Sequence, residues 1–417
     1  MIASSVRSFA VIALLAVAAT AGCRLSVDYS DTMFRCPDGR CPAGFTCVAE
    51  VCVKPDATPA PSCASLLAVG HEHVCAVIAA TGETRCWGHG SSGELGGSVV
   101  GDTPVPQSAV GLPAPEAIAA GGRATYAIAG GRLWVWGANA QSQLGDRSTV
   151  EQHTPYQLPA PTTWTQIGAQ SRGACGLSAD GKVRCWGCAV YPPDPSAAPH
   201  CMTVQPDPTP VPLAQPVTQL AVGHQHACAL LPDATIWCWG RNDHGQLGTG
   251  ATGDSTTPVK ATLEGASAIA AGRRHTCAIK DGTVYCWGDG SSGQLGDGTM
   301  ADSLTPKQVP GLSKVTRVTG GGWYTCAIAG GAAYCWGDNA RGQLGNGRSG
   351  ANELSPTEVQ GLHDPVEDID AGTQITCARD AVGVECWGAN TRGQLGQGDA
   401  ADQAAHTVPV TVPLGCP

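Results

Sequence analysis

Charge is scarce along this chain, and basic charge scarcer than acidic: 24 Lys and Arg stand against 34 Asp and Glu in 417 residues, a net charge of −10. Affinity for DNA or RNA rests on lysine and arginine neutralising phosphates, so this balance argues against a nucleic-acid partner. Methionine (4) and phenylalanine (3) are nearly missing, while 56 glycines and 30 prolines cut the text into short pieces. Those pieces run about four to eight residues and are rich in Val, Ile, Thr and Cys, which leaves no room for long helices and predicts strands. Apolar runs are short as well. Only Phe9 to Gly22 is sustained, and it is shorter than a membrane span.

That run follows Arg7 and has the form of a secretory h-region. It ends in Thr20-Ala21-Gly22-Cys23, which resembles a bacterial lipoprotein signal with Cys23 as the lipidated residue; ordinary cleavage after a small residue is the alternative. Residues 1–22 are accordingly expected to be a signal peptide, and the protein to sit in the cell envelope, lipid-anchored at the outer membrane or cell surface. Parity agrees, because removing Cys23 from 21 cysteines leaves an even number in a setting where disulfides persist. Residues 23–53 hold Cys36, Cys41, Cys47 and Cys52. Their spacing lacks the paired two-residue gaps of a zinc site and predicts a two-disulfide knot with three possible connectivities. Pro-rich residues 54–61 read as a stiff spacer.

From residue 62 to 417 the text repeats. Trp-Gly pairs recur about every fifty residues, at Trp87, Trp136, Trp186, Trp239, Trp287, Trp336 and Trp387. A repeat of that length is one supersecondary unit that must stack on its copies to bury its faces, and seven copies suit a closed ring forming one all-β domain. Cysteines come in matched pairs within the repeats: Cys75 with Cys86, Cys175 with Cys185, Cys228 with Cys238, Cys277 with Cys286, Cys326 with Cys335 and Cys377 with Cys386. In the second repeat Tyr126 and Val135 replace both members together. Each pair brackets two alternating runs and a turn such as Asp281-Gly282, so the partners are expected opposite each other on a hairpin, within disulfide reach. Cys188 and Cys201 are expected to close the Pro-rich insertion after the third repeat. The remaining two, Cys63 and Cys416, are neighbours in the repeat frame across the chain ends, which predicts a disulfide closing the ring.

The motif series Gly-x-x-His-Thr-Cys, Cys-Trp-Gly, Asn-x-x-Gly-Gln-Leu-Gly and Thr-Pro, as in Gly272 to Gly296, resembles the regulator of chromosome condensation repeat family. The resemblance implies a seven-bladed β-propeller, here preceded by a small disulfide-rich module. Family members include a nucleotide-exchange factor for a nuclear GTPase, interaction platforms, a secreted bacterial β-lactamase inhibitor and a plant ultraviolet-B photoreceptor. The added cysteine pairs and export signal point away from the nuclear role. The third repeat also lacks the Gly-Gln-Leu-Gly segment, and Trp323 alone resembles the photoreceptor's tryptophan cluster.

The repeated residues are expected to be structural: the seven tryptophans as packing aromatics, and His73, His226 and His275 as hydrogen-bonding groups. Function would lie in what varies. The tripeptides that follow each innermost strand, from His71-Glu72-His73 to Thr373-Gln374-Ile375, must form a ring around one face by rotation. That ring carries Arg123, Arg172, His224, Arg273, Arg274, Trp323 and Tyr324, an anion-favouring surface with an aromatic pair. The pairs His71/His73 and His224/His226 lie three blades apart, so no metal ligand set and no cofactor is assigned. Ser91-Ser92 and Ser291-Ser292 lack nucleophile-elbow spacing, and no His or Asp can be assigned to them, so no catalytic residue is assigned. The reading is a non-enzymatic, lipid-anchored scaffold that binds a protein or glycan and no nucleic acid, meeting the membrane through its lipid alone. The alternative is a secreted enzyme inhibitor of the β-lactamase-inhibitor type, with a hydrolase a distant third.

Overall fold

The computed structural model describes residues 46–48, 51–53, 63–97, 99–159, 162–169, 171–188, 205–363, 365–381, 383–399 and 402–415. The chain divides into two compact units, Met1–Thr58 and Pro59–Pro417. Cys23, Cys36, Cys41, Cys201 and Cys416 fall outside the described residues. In the first unit, strands Thr46–Val48 and Val51–Val53 form an antiparallel hairpin whose backbone sets Cys47 opposite Cys52.

The second unit is an all-β, seven-bladed propeller with no helix among the described residues. Every blade is a four-stranded antiparallel sheet in chain order, innermost strand first: blade one is Ala64–Val69, His73–Ile78, Thr84–Gly88 and Thr103–Ser108. Blade seven is Asp368–Ala371, Ile375–Arg379, Val384–Gly388 and His406–Thr411. No blade mixes strands from the two chain ends. Ring closure therefore depends on contacts between complete blades.

The hairpins form as the residues dictate. Asp281 and Gly282 both take positive φ, 50° and 70°, the two-residue turn whose twist matches the flanking strands. Six disulfides join directly opposed residues of the second and third strands, with Cα atoms 4.0–4.1 Å apart. In blade two Tyr126 and Val135 stand opposite each other in their place. Cys63 and Cys188 are also disulfide-bonded, to cysteines outside the described residues.

The core lies between blades. All seven repeat tryptophans are fully buried. Each removes roughly 200 Å² from water, about 5 kcal/mol on transfer bookkeeping. Six of the indole N–H groups donate to the carbonyl of the Gln or Glu that opens the Gln-Leu-Gly turn of the preceding blade, for example Trp287 to Gln246 at 3.0 Å and Trp336 to Gln294 at 3.0 Å. The glycine closing that turn cannot be replaced: Gly296 has φ +69°, and a Cβ on it would lie 2.6 Å from Trp336 Nε1. Trp239 faces blade three, which lacks the turn, and its buried Nε1 has no hydrogen-bond partner.

The histidines complete the seams. His73, His226 and His275 reach Thr125, Thr276 and Thr325 of the next blade at 2.8–2.9 Å through Nε2. Each threonine passes its own proton to the carbonyl at the head of the same turn, so the imidazoles are the donors and carry the proton on Nε2. Burial, ahead of nearby charges, pushes their pKa values down to about 4, 3 and 4.

Candidate functional site

The innermost strands end at the mouth of an axial channel walled by backbone and small residues, among them Gly70, Gly121, Gly223, Gly272, Gly321 and Gly372. The cavity there measures about 340 Å³. His71 and His224, from blades one and four, face each other across it with ring centroids 6.4 Å apart and planes 20° from parallel. Burial first, then the positive charges of Arg273 and Arg123, holds His71 near pKa 4; burial and then Arg273 do the same to His224. Both rings are neutral at pH 7. A second hollow of about 560 Å³ opens beside the channel and is bordered by Arg123, Arg172, Glu72 and Glu151.

Four arginines reach this face. Arg123 and Arg172 are exposed, and Arg273 and Arg274 are half-buried. The Arg273 guanidinium lies 4.2 Å over the Trp323 ring, so the aromatic is a platform for the cation. Burial, followed by repulsion from Arg274, lowers the Arg273 pKa. Arg274 Nη1 sits 3.2 Å from His244 Nε2, whose other nitrogen is bound to Asp302 at 2.8 Å. Among the described residues, Arg123, Arg273 and Arg274 have no carboxylate oxygen within 4.0 Å. The structure brings His224 and Arg273 to the channel mouth and Arg123 and Arg172 to the hollow beside it, with Trp323 under Arg273 and Arg274 against His244.

Tyr324 is the exception and requires a correction. It is fully buried, at the repeat position of His73, His226 and His275. Its hydroxyl donates to Ile375 O at 2.6 Å and lies 2.9 Å from Thr376 Oγ1, and burial raises its pKa. It does by another route what the histidines do at their seams. An exposed aromatic pair is therefore absent from the face, and Trp323 acts alone.

A second correction concerns Ser91. His89 Nε2 lies 3.1 Å from Ser91 Oγ, and His89 Nδ1 bonds the fully buried Glu94. The arrangement copies the geometry of a nucleophile, base and acid. The bond to Glu94 raises the His89 pKa. Burial alone would raise Glu94, yet its bond to His89, the nearby His73 and a backbone hydrogen bond together outweigh that and hold the carboxyl low. The N–H groups of Gly90, Ser92 and Gly93 already donate, to Asp102, Glu94 and Gly90 O, so they offer no oxyanion hole. Glu94 stands where other blades carry Gln143, Gln246, Gln294, Gln343 and Gln394, and His89 balances the charge this exchange introduces.

Two further clusters combine a histidine with two acids: His244 with Asp289 and Asp302, and His363 with Asp380 and Glu385. Sequence reading missed both because their members are far apart in the chain. One signal was legible. Glu385 is acidic at the place, two residues before the repeat tryptophan, where the other blades have Arg85, Trp134, Arg184, Trp237, Tyr285 and Tyr334.

The model of the regulator of chromosome condensation (RCC1) repeat matches residues 130–177, 233–279, 281–328 and 330–379, and a second model of that repeat matches 217–246 and 266–294. Together they take in half of the chain. The chain is 30% identical over 200 residues to the ultraviolet-B receptor UVR8 of Arabidopsis thaliana, covering 46% of this chain and 44% of the receptor. It is 29% identical over 202 residues to the probable E3 ubiquitin-protein ligase HERC4 of Rattus norvegicus, covering 46% of this chain and 19% of the ligase. The chain thus spans less than half the length of these curated relatives. Among solved structures, yeast RCC1 (Prp20) bound to Kap60 superposes with a TM-score of 0.69 at 21% identity, covering 84% of this chain and 85% of that one. Human WBSCR16 superposes with a TM-score of 0.70 at 21% identity, covering 80% and 94%. At such identities these likenesses concern the fold.

Proposed function

Because the chain belongs to the regulator of chromosome condensation repeat family, we propose that it is a binding scaffold whose recognition surface is the arginine-bearing face at the channel mouth. One observation carries this reading. In a chain with an excess of acid, Arg123, Arg273 and Arg274 lie on one face beside Trp323, and among the described residues none of the three has a carboxylate oxygen within 4.0 Å. Unpaired guanidinium groups next to an aromatic platform favour a partner that presents carboxylates, sulfates or phosphates, which here means an acidic protein segment or an anionic glycan.

The setting belongs to the same proposal. The Phe9–Gly22 run, Cys23 and the six blade disulfides support a protein exported from the cytoplasm and held to a membrane by lipid on Cys23. The ligase activity named for one relative is not carried over, since the match covers 19% of that protein. Capture from a bacterial envelope extract on the immobilised propeller, in parallel with Arg273→Ala/Arg274→Ala, tests the reading. A partner retained by the native face and lost from the variant supports it; equal retention by both overturns it.

A further inference from the structure

Away from the arginine face, three side chains of blade seven converge. His363 lies in the connection from the outer strand of blade six, Glu353–Glu358, to the inner strand of blade seven. Asp380 directly follows the second strand of blade seven, and Glu385 lies on the third. His363 Nδ1 is 3.5 Å from Asp380 Oδ2 and 3.9 Å from Glu385 Oε2, and the three ligand atoms all lie within 4.8 Å of one another. The two acid side chains are 2% and 6% exposed, and His363 is 25% exposed. The group is therefore closed on the protein side and reachable from solvent through the imidazole.

Neither acid is part of the scaffold pattern. The other blades carry Ile78, Ala129, Ser178, Leu231, Lys280 and Ala329 at the place of Asp380, and arginine or an aromatic at the place of Glu385. Two departures from the repeat, both acidic and both buried, meet at one point. A cation held at that point would meet two carboxylate oxygens and one imidazole nitrogen.

We propose that His363, Asp380 and Glu385 form a binding site for a divalent transition cation of the zinc class. The donor set is one imidazole nitrogen and two carboxylate oxygens, which suits zinc and leaves a fourth position open to water. Tetrahedral zinc with bonds near 2.0–2.1 Å sets its ligand atoms about 3.3 Å apart, close to the two spacings of 3.5 and 3.9 Å that His363 Nδ1 makes here. Calcium, which takes six to eight oxygens, is a poor match for the imidazole. The far oxygens are already oriented: Gly383 N–H donates to Asp380 Oδ1 at 2.9 Å, and Thr411 Oγ1 donates to Glu385 Oε1 at 3.3 Å. His363 Nδ1 is buried without a hydrogen-bond partner, as a nitrogen kept for a metal would be. In the other cluster, by contrast, His244 already bonds Asp302 at 2.8 Å and has Arg274 against its second nitrogen, which disfavours a cation.

The test uses the full oxidised chain, stripped with EDTA and dialysed without reductant. Zinc chloride is then titrated by calorimetry, and bound metal is counted by mass spectrometry. One zinc per chain is expected, with affinity weakened about tenfold or more in Glu385→Gln and in His363→Gln, and unchanged in His244→Gln. His363 lies on a solvent-reachable loop, so its variant keeps the test open if the buried substitution impairs folding. Absence of stoichiometric zinc, or equal affinity in the His363→Gln variant, overturns the site and leaves an ion pair only.

Discussion

The indole N–H of Trp87 donates to the carbonyl of Gln394, 2.9 Å away and 307 positions along the chain. This is the same bond that joins neighbouring blades elsewhere, so blade seven docks on blade one by the repeat's own device. Other links cross that seam: Val69 N–H donates to Asp370 Oδ2 at 2.8 Å, Gly398 N–H donates to Pro104 O at 2.9 Å, Arg85 donates to Leu414 O, and Arg392 pairs with Asp102 at 3.1 Å.

The indole bond has an internal control in Trp239, which lacks it. Trp287→Phe removes the donation to Gln246 O as well as indole contacts, whereas Trp239→Phe removes contacts alone. The first should therefore cost about 1 kcal/mol more than the second. Denaturant unfolding of both variants measures the difference, and equal losses would deny the bond its share.

The open seam makes the Cys63 disulfide consequential. Peptide mapping without reduction should recover Cys63 linked to Cys416, and Cys63→Ala should lower the melting temperature with fraying in blades one and seven. A cross-link over some 350 residues has an upper bound of about 6 kcal/mol on the chain-entropy model, reduced by the smaller loops already closed. Leu414, two residues before Cys416, is held by Arg85 of blade one and belongs to the core cluster that Cys63 packs against. A map pairing Cys63 with Cys36, Cys41, Cys47 or Cys52 would contradict closure.

The interface histidines give a pH dependence of definite sign. His226 is neutral in the fold down to about pH 3 but protonates near 6.5 when unfolded. Between those values the unfolded chain binds more protons, so stability falls as pH drops from about 6.5 toward 3. His226→Asn should be less stable at pH 7 yet lose less over that interval. Melting curves from pH 7 to 4 decide it; parallel slopes for the two proteins would refute the assignment. Asp370 works oppositely, since burial pushes its carboxyl up to about 6, and it is common to both proteins.

Anchoring predicts a simple fractionation. In a bacterial host that processes lipoproteins, the native chain should label with palmitate and sediment with membranes, and Cys23→Ser should do neither. Unchanged sedimentation of the variant would remove Cys23 as the anchor.

Much of the fold was legible because its determinants are local and repeated. The tryptophans, the Gln-Leu-Gly turns and the paired cysteines each announce one blade, and rotation does the rest. The lack of that turn in blade three even foretells the unpaired Trp239 indole. The candidate sites were less legible because they are built from exceptions. Tyr324 reads as a surface aromatic by its neighbour Trp323, yet its place in the repeat is that of buried His275. His71 and His224 are 153 positions apart and meet only because blades one and four face each other across the axis. His363 and Glu385 meet because the connection from blade six to blade seven passes beside the second and third strands of blade seven.

The most direct test of the scaffold reading is charge reversal at exposed positions. Arg123→Glu/Arg172→Glu alters the channel-mouth face, and Lys314→Glu alters an exposed residue at the opposite end of an inner strand. Measured against the captured partner, the face variant should bind about tenfold or more weakly at an unchanged melting temperature, with the loss shrinking as salt is raised, while Lys314→Glu binds as the native protein does. Equal affinity for all three proteins would contradict recognition through the arginine face.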